Sequence, residues 1–283
     1  MINSNLFRKT LCVTAAALIF MTFVSVCAEP VTADQDSKLK TIPHNWYCKN
    51  NKTHTKPELD PALKFIEKHE GYYIDKRAKN DPAESDDKVL YLTFDAGYEN
   101  GNVEKILNTL KEENVPGAFF VLDNLILRNT ELVKRMTDEG HTVANHTKSH
   151  KDMTKITDQS EFSKQLTELE DIYRDKIGLE LSKFYRPPEG RFSEQNMKYT
   201  NDMGYKTIFW SFAYADWDND NQLSPSDAMK KVLAHTHNGS VILLHPTSET
   251  NAAIMGDLIR EWKSQGYRFG TLNELVSQNN QNQ

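Results

Sequence analysis

The sequence predicts an α/β fold built on a parallel sheet, and three observations carry that expectation. Short β-rich runs alternate with amphipathic helical patterns, glycines follow the periodic segments, and out-of-place polar residues gather at one end of the runs. The β-rich runs fall at Val89–Phe94, Ala118–Leu122, His141–Asn145, Lys183–Arg186, Tyr205–Trp210, Ser240–His245 and Tyr267–Gly270. Between most of them lie helical patterns at Val103–Glu113, Glu131–Glu139, Glu161–Ile177, Glu194–Met203, Ser226–Leu233 and Ala252–Gln265, in which apolar residues keep helical spacing. Gly140, Gly178, Gly204 and Gly266 stand just past four of these segments, as helix stops do. Such alternation demands parallel strands joined by crossovers, closed as a barrel or left open with helices on both faces. About seven strands are expected.

The composition suits one large core. The chain has 283 residues, 38% hydrophobic and 26% charged, with a net charge of -6. That balance gives no basic footprint for nucleic acid or for an anionic membrane surface, and a neutral or zwitterionic polymer fits better. Arg8 and Lys9 precede an apolar run from Leu11 to Val26, and Val26-Cys27-Ala28 supplies small residues before Glu29 and Pro30. Residues 1–28 therefore read as a signal peptide or an N-terminal membrane anchor, and the protein as exported. Cleavage would leave Cys48 as the sole cysteine, so no internal disulfide framework is expected. Residues 29–87 read as an N-terminal arm with a helical extension at Pro57–Glu70, residues 88–276 as the catalytic domain and residues 277–283 as a polar tail. Glu29 to about Lys56 shows no clear period, as in a linker or extended arm. A monomer is expected.

The chemistry-bearing residues follow the strands. Asp95 follows the first run, His146 and His150 the third, Arg186 ends the fourth, Asp216 lies beyond the fifth and His245 closes the sixth. In parallel α/β folds the loops at the C-terminal strand ends open on one face, so residues distant in sequence converge there. Two histidines four apart project to one side of a helical or turn-like segment and can reach one divalent ion. Surface histidines share this spacing, and the companions Asp95 and His245 are what make the pair a metal candidate. Asp95 is placed as a general base beside the ion. Helix capping suits Asn100 or Asn102 better, and Glu99 supports the loop. Arg186, stiffened by Pro187 and Pro188, is expected to hold the Asp95 carboxylate bidentately. Asp216 would fix the tautomer of His245 and raise its pKa, making it a general acid. Trp217 reads as a sugar-stacking surface or as core.

With these residues assembled, the chain resembles the polysaccharide deacetylases, carbohydrate esterase family four, from about Val89 to Leu275. Five motifs occur in order: TFDAG at Thr93, HTKSH at His146, RPPEG at Arg186, the Asp216-Trp217 pair and LLH at Leu243. The resemblance implies a distorted (β/α)7 barrel. It also implies Asp95 as base, His146 and His150 as metal ligands, Arg186 as the group that orients the base, and His245 as acid with Asp216 behind it. Zinc is the first expectation for the ion, with cobalt and manganese as alternatives. Tyr98, Pro188, Trp217 and Leu243 are the expected substrate contacts, and a backbone amide near Tyr98 an expected oxyanion donor. The family's first motif normally carries a second Asp as metal ligand, where this chain has Ala96. The longer string FDAGYENG resembles the delta-lactam-biosynthetic de-N-acetylases of the spore cortex, which implies N-acetylmuramic acid in peptidoglycan as the substrate. Two other readings stand beside it: deacetylation of N-acetylglucosamine in peptidoglycan or chitin-like chains, and a catalytically silent glycan-binding protein. A two-carboxylate glycosidase would need a second acid facing Asp95, and none stands out.

Overall fold

The computed structural model describes residues 40–49, 51–80, 85 and 87–277; the leader expected over residues 1–28 and the tail beyond Ser277 lie outside them. Among the described residues no helix is long and apolar enough to cross a membrane. In chain order the elements are β1 (His44–Asn45), a 3-10 helix (Pro61–His69), β2 (Gly71–Tyr72), β3 (Lys88–Ala96) and α1 (Asn102–Glu112). Then come β4 (Ala118–Val121), α2 (Asp123–Arg128), α3 (Thr130–Asp138), β5 (Thr142–Asn145) and α4 (Gln159–Ile177). They are followed by β6 (Phe184–Tyr185), β7 (Arg191–Phe192), α5 (Glu194–Asp202), β8 (Lys206–Ile208) and α6 (Pro225–Ala234). The chain continues through β9 (Ser240–Leu244), α7 (Glu249–Ser264), β10 (Tyr267–Phe269) and α8 (Leu272–Ser277).

All seven predicted strands form, and they are parallel. From β3 the sheet runs through β4, β5, β6 and β8 to β2; β9 and β10 also pair with β3. Between β8 and β9 the ladder gives way to single bridges, Phe212 to Ile242 and Ile74 to Ser240. The result is a barrel distorted at that seam, of the (β/α)7 type. The eighth strand, β2, was not expected: the extension before the catalytic segment adds it to the sheet beside β8. Two residues are too few to show a period.

Alternation along the strands separates two apolar layers. Leu90, Leu92, Phe94 and Ala96 of β3 face outward into a core shared with Val103, Ile106, Leu107 and Leu110 of α1 and with Met255, Leu258 and Trp262 of α7. Val89 and Tyr91 face inward, meeting Phe120, Ala144, Phe184, Ile208 and Val241. Each such large side chain contributes roughly 1.5–3 kcal/mol on burial.

The extension differs from its sequence reading in two places. Pro57–Glu70 was expected as a helix; a 3-10 helix spans Pro61–His69, begun by the Asp60 side chain accepting from the Ala62 amide and burying Leu63 and Ile66. Residues 40–49, which have no period, contain β1, which pairs antiparallel with β7, and bury Trp46 and Cys48. Trp46 joins Leu63, Ile66, Tyr73, Phe192, Met197 and Phe209 in a third cluster. Burial pushes the free Cys48 thiol up to about 12, which leaves it protonated and inert.

Candidate active site

The same alternation builds the mouth of the barrel. Inward positions on β3 run Val89, Tyr91, Thr93, Asp95; two residues beyond Ala144 is His146, two beyond Phe184 is Arg186, and Val241 and Leu243 lead to His245. An apolar floor thus passes directly into a polar rim. Ala96 is one step out of phase, fully buried on the helix side of β3.

Arg186 is wholly buried and every part of its guanidinium is engaged. Nη1 donates to Asp95 Oδ1 at 2.8 Å, Nη2 to Thr93 Oγ1 at 2.9 Å and Phe209 O at 3.3 Å, and Nε to Ile208 O at 2.9 Å. The guanidinium carbon lies 4.2 Å from the Phe120 ring centroid and 5.5 Å from that of Trp210. The bidentate grip expected on Asp95 is therefore corrected to a single bond, because the second nitrogen is taken by Thr93 and Phe209. Burial pushes the Asp95 carboxyl up, but the charge and hydrogen bond of Arg186, with the charge of His245, outweigh it and hold it below the usual carboxylate range. Asp95 stays ionised although only 10% of its side chain is exposed.

His146 follows β5, and its Nδ1 donates to the Arg186 carbonyl at 2.9 Å. Burial holds its pKa down to about 4, so the ring is neutral and Nε2 carries the lone pair. That lone pair faces Asp95 Oδ2 at 3.5 Å. Two acceptors face each other, an arrangement that a shared cation relieves. The His150 ring lies 5.0 Å from that of His146, at 71°. A turn of positive φ at Thr147 (72°) and His150 (55°) brings it back, held by the His150 amide donating to Thr147 Oγ1. Among the described residues no group of three or more His, Cys, Asp or Glu is placed to hold a metal ion. The two imidazoles, with the Asp95 carboxylate beside His146, are donors of the kind a divalent ion takes, but such an ion would need further oxygen ligands, and Ala96 supplies none.

Across the mouth, Asp216 is almost fully buried and grips His245 twice: Oδ1 accepts from Nδ1 at 2.7 Å and Oδ2 from the backbone amide at 2.8 Å. Burial alone would lower the His245 pKa, but the hydrogen bond and charge of Asp216, with the charge of Asp95, raise it above the ordinary histidine value. Nε2 is left for a substrate. Asn251, on the first turn of α7, steadies the carboxylate from behind through Nδ2 to Oδ2 at 2.6 Å.

The predicted substrate contacts divide. Tyr98 and Trp217 are 44% and 64% exposed on the rim, and Asn219 Nδ2 donates to the Tyr98 hydroxyl at 2.7 Å, tying the two loops together. Leu243 and Pro188 are buried, Leu243 on the inward face one step below His245 and Pro188 in the turn after Arg186. Of the two asparagines expected as helix caps, Asn100 lies one residue before the N-cap position, which Gly101 occupies, and its Oδ1 accepts from the Asn102 amide at the start of α1 at 3.3 Å, whereas Asn102 is the first helical residue. Both side-chain amides also donate to the Thr247 carbonyl, at 2.8 Å and 3.0 Å, tying the loop after β3 to the loop after β9. Glu99 Oε1 accepts from the Gly101 amide, which supports the loop. Sequence reasoning gave no role to Thr93, although it opens the TFDAG motif, and missed Asn251 and the backbone acceptors of Arg186, which carry no motif.

The polysaccharide deacetylase family model matches residues 83–208. The peptidoglycan-N-acetylmuramic acid deacetylase PdaA of Bacillus subtilis (strain 168) is 35% identical over 255 residues, 88% of this chain and 93% of that protein. The structure of Bacillus subtilis PdaA, a family 4 carbohydrate esterase, superposes with a TM-score of 0.78 at 34% identity, covering 85% of this chain and all of that one. The peptidoglycan-N-acetylglucosamine deacetylase PgdA of Listeria monocytogenes (serotype 1/2a, strain 10403S) is 34% identical over 197 residues, 70% of this chain and 41% of that protein.

Proposed function

The chain belongs to the polysaccharide deacetylase family, and we propose that it is an exported hydrolase that removes the acetyl group from N-acetylmuramic acid in peptidoglycan glycan strands. The observation that carries the chemistry is the facing pair at one barrel mouth: a buried carboxylate held ionised by Arg186 and a histidine held protonatable by Asp216. The choice of muramic acid rests on PdaA, which matches nearly end to end, whereas PgdA matches over less than half its length.

Polysaccharide deacetylases are generally metal-dependent, and His146 and His150, with Asp95 beside them, are the residues that would hold the ion. A divalent ion held there, zinc in our reading with cobalt or manganese as alternatives, would supply Lewis-acid polarisation of the acetyl carbonyl and a water whose pKa is lowered to about 7. Asp95 takes a proton from the water that attacks the amide carbon, and Arg186 keeps the carboxylate aimed and ionised until then. A backbone amide near Tyr98 donates to the developing oxyanion, a contact worth about 3 kcal/mol in comparable sites. His245 then gives its Nε2 proton to the departing amine, and Asp216 stabilises the imidazolium beforehand. Tyr98 and Trp217 offer flat apolar faces to the sugar rings. The freed amine then condenses with the lactyl carboxyl of the same sugar and expels water, giving the muramic δ-lactam of the spore cortex. Such work belongs outside the cytoplasmic membrane.

Incubating the protein with glycan strands, with and without stem peptides, and mapping the deacetylated sugar by mass spectrometry tests this reading. Loss of 42 mass units, the general difference between an acetamide and an amine, is expected on muramic acid. Loss confined to glucosamine would establish the second reading, which PgdA favours. Glycan binding without acetate release under added Zn²⁺, Co²⁺ or Mn²⁺ would establish a silent binding protein.

A further inference from the structure

The arm that precedes the barrel reaches the catalytic machinery through one side chain. Trp46 is 6% exposed and makes three directed contacts. Its amide donates to Gly190 O at 2.7 Å, its indole Nε1 donates to Trp210 O at 2.8 Å, and its ring stacks on Phe209 with centroids 4.2 Å apart at 19°. These partners lie on two separate segments, the turn after Arg186 and the continuation of β8. Between them they enclose Arg186: the Phe209 carbonyl accepts from Nη2 and the Trp210 ring lies over the guanidinium. The neighbouring pairs His44 with Phe192 and Asn45 with Arg191 keep the arm in register.

We infer that Trp46 is a positioning residue for Arg186, and through it for Asp95, so that the N-terminal arm is part of the deacetylase site. The inference rests on the deacetylase reading above. Packing alone would be served by the stack on Phe209. The two directional donors add something else, a fixed spacing between the segments that hold the guanidinium.

A double-mutant cycle in the full chain separates positioning from mere stability. Trp46→Ala is expected to lower kcat for acetate release by about 10- to 100-fold, the scale of a misplacement of up to 1 Å, with KM within about twofold. In an Arg186→Lys background the same substitution should cost less than about threefold more, because the group it positions is already gone. Trp46→Phe keeps the stack and loses the indole donor, and its loss should be intermediate. Equal losses in both backgrounds would overturn the inference. The Arg186 Nε–H, bonded to the Ile208 carbonyl, gives an independent readout: its exchange with solvent, followed by ¹⁵N–¹H spectroscopy, should accelerate in both Trp46 variants. If the parent releases no acetate, the deacetylase reading fails while the exchange comparison still decides the role of Trp46; unchanged exchange rejects it. Should Trp46→Ala not fold, Trp46→Phe carries the same measurements.

Discussion

Arg186 gives Asp95 one hydrogen bond, Nη1 to Oδ1 at 2.8 Å, and leaves Oδ2 facing His146 Nε2 at 3.5 Å. The carboxylate is thus anchored on one oxygen and free on the other to take a proton. Asp95→Asn keeps the shape and removes the base, so acetate release should fall by about 10²–10⁴-fold. Glycan binding, followed by pull-down on cell-wall polysaccharide, should persist.

Arg186→Ala makes the reverse deletion and should act on the fold as well. It strands a buried carboxylate, a loss of about 3–5 kcal/mol when one partner of a buried pair is removed. Urea unfolding should show that drop, whereas Arg186→Lys, which keeps the charge, should show a smaller one.

The Asp216–His245 pair predicts a pH dependence. As the proposed general acid His245 must be protonated, and Asp216 holds its pKa above the ordinary value. The alkaline limb of kcat/KM should therefore lie above the normal histidine range. In Asp216→Asn the compensating charge is gone, the histidine pKa falls, and that limb moves to lower pH. A limb that stays in place would assign the titration to another group.

How much of this was legible follows from what each feature writes into the chain. The strands that lead to Asp95, His146, Arg186 and His245 carry runs long enough, or motifs strong enough, to be placed before any coordinates. What escaped is short or indirect. β1, β2 and β7 are two residues each. α2 is six residues long and stops at Asn129, just before α3, too short to show a helical period of its own. Asn251 occupies the first turn of a helix capped by Ser248, where a polar residue is ordinary. The single bond from Arg186 depends on Thr93, whose inward direction is set by the pleat and not by its identity.

The metal expectation has a direct test. Protein purified without chelator or metal-affinity resin should contain about one divalent ion per chain, the stoichiometry of a catalytic site, by elemental analysis. His146→Ala should lose it, since Nε2 is the lone pair buried beside Asp95. Chelation should stop acetate release, and added Zn²⁺, Co²⁺ or Mn²⁺ should restore it. Retention of the ion by His146→Ala would place it elsewhere.

The exposed rim should act on binding more than on chemistry. Trp217 and Tyr98 sit at the mouth, and Asn219 holds the Tyr98 hydroxyl. Trp217→Ala should raise KM for glycan strands by about tenfold, roughly 1.4 kcal/mol, with little change in kcat. Asn219→Ala should have a smaller effect in the same direction, because it frees Tyr98 without removing its ring.

Gly190 tests whether the turn after Arg186 has room to move. Its φ of +64° is strained for any residue with a side chain, and an added Cβ would come within 2.8 Å of the Trp210 ring and 3.0 Å of the Trp46 Cβ. Both rings are packed, Trp46 on Phe209 and Trp210 against the Arg186 guanidinium. The clash therefore cannot be relieved by swinging a loose side chain. Gly190→Ala should cost about 1–3 kcal/mol from overpacking and positive φ together. Because relief requires Trp210 or Trp46 to shift, kcat should fall as well, unlike the effect of an equally destabilising change in the distant outer layer, such as Leu258→Ala in α7. Thermal unfolding and acetate-release kinetics on the two variants, compared at a temperature where both are folded, would distinguish local displacement of Arg186 from general loosening.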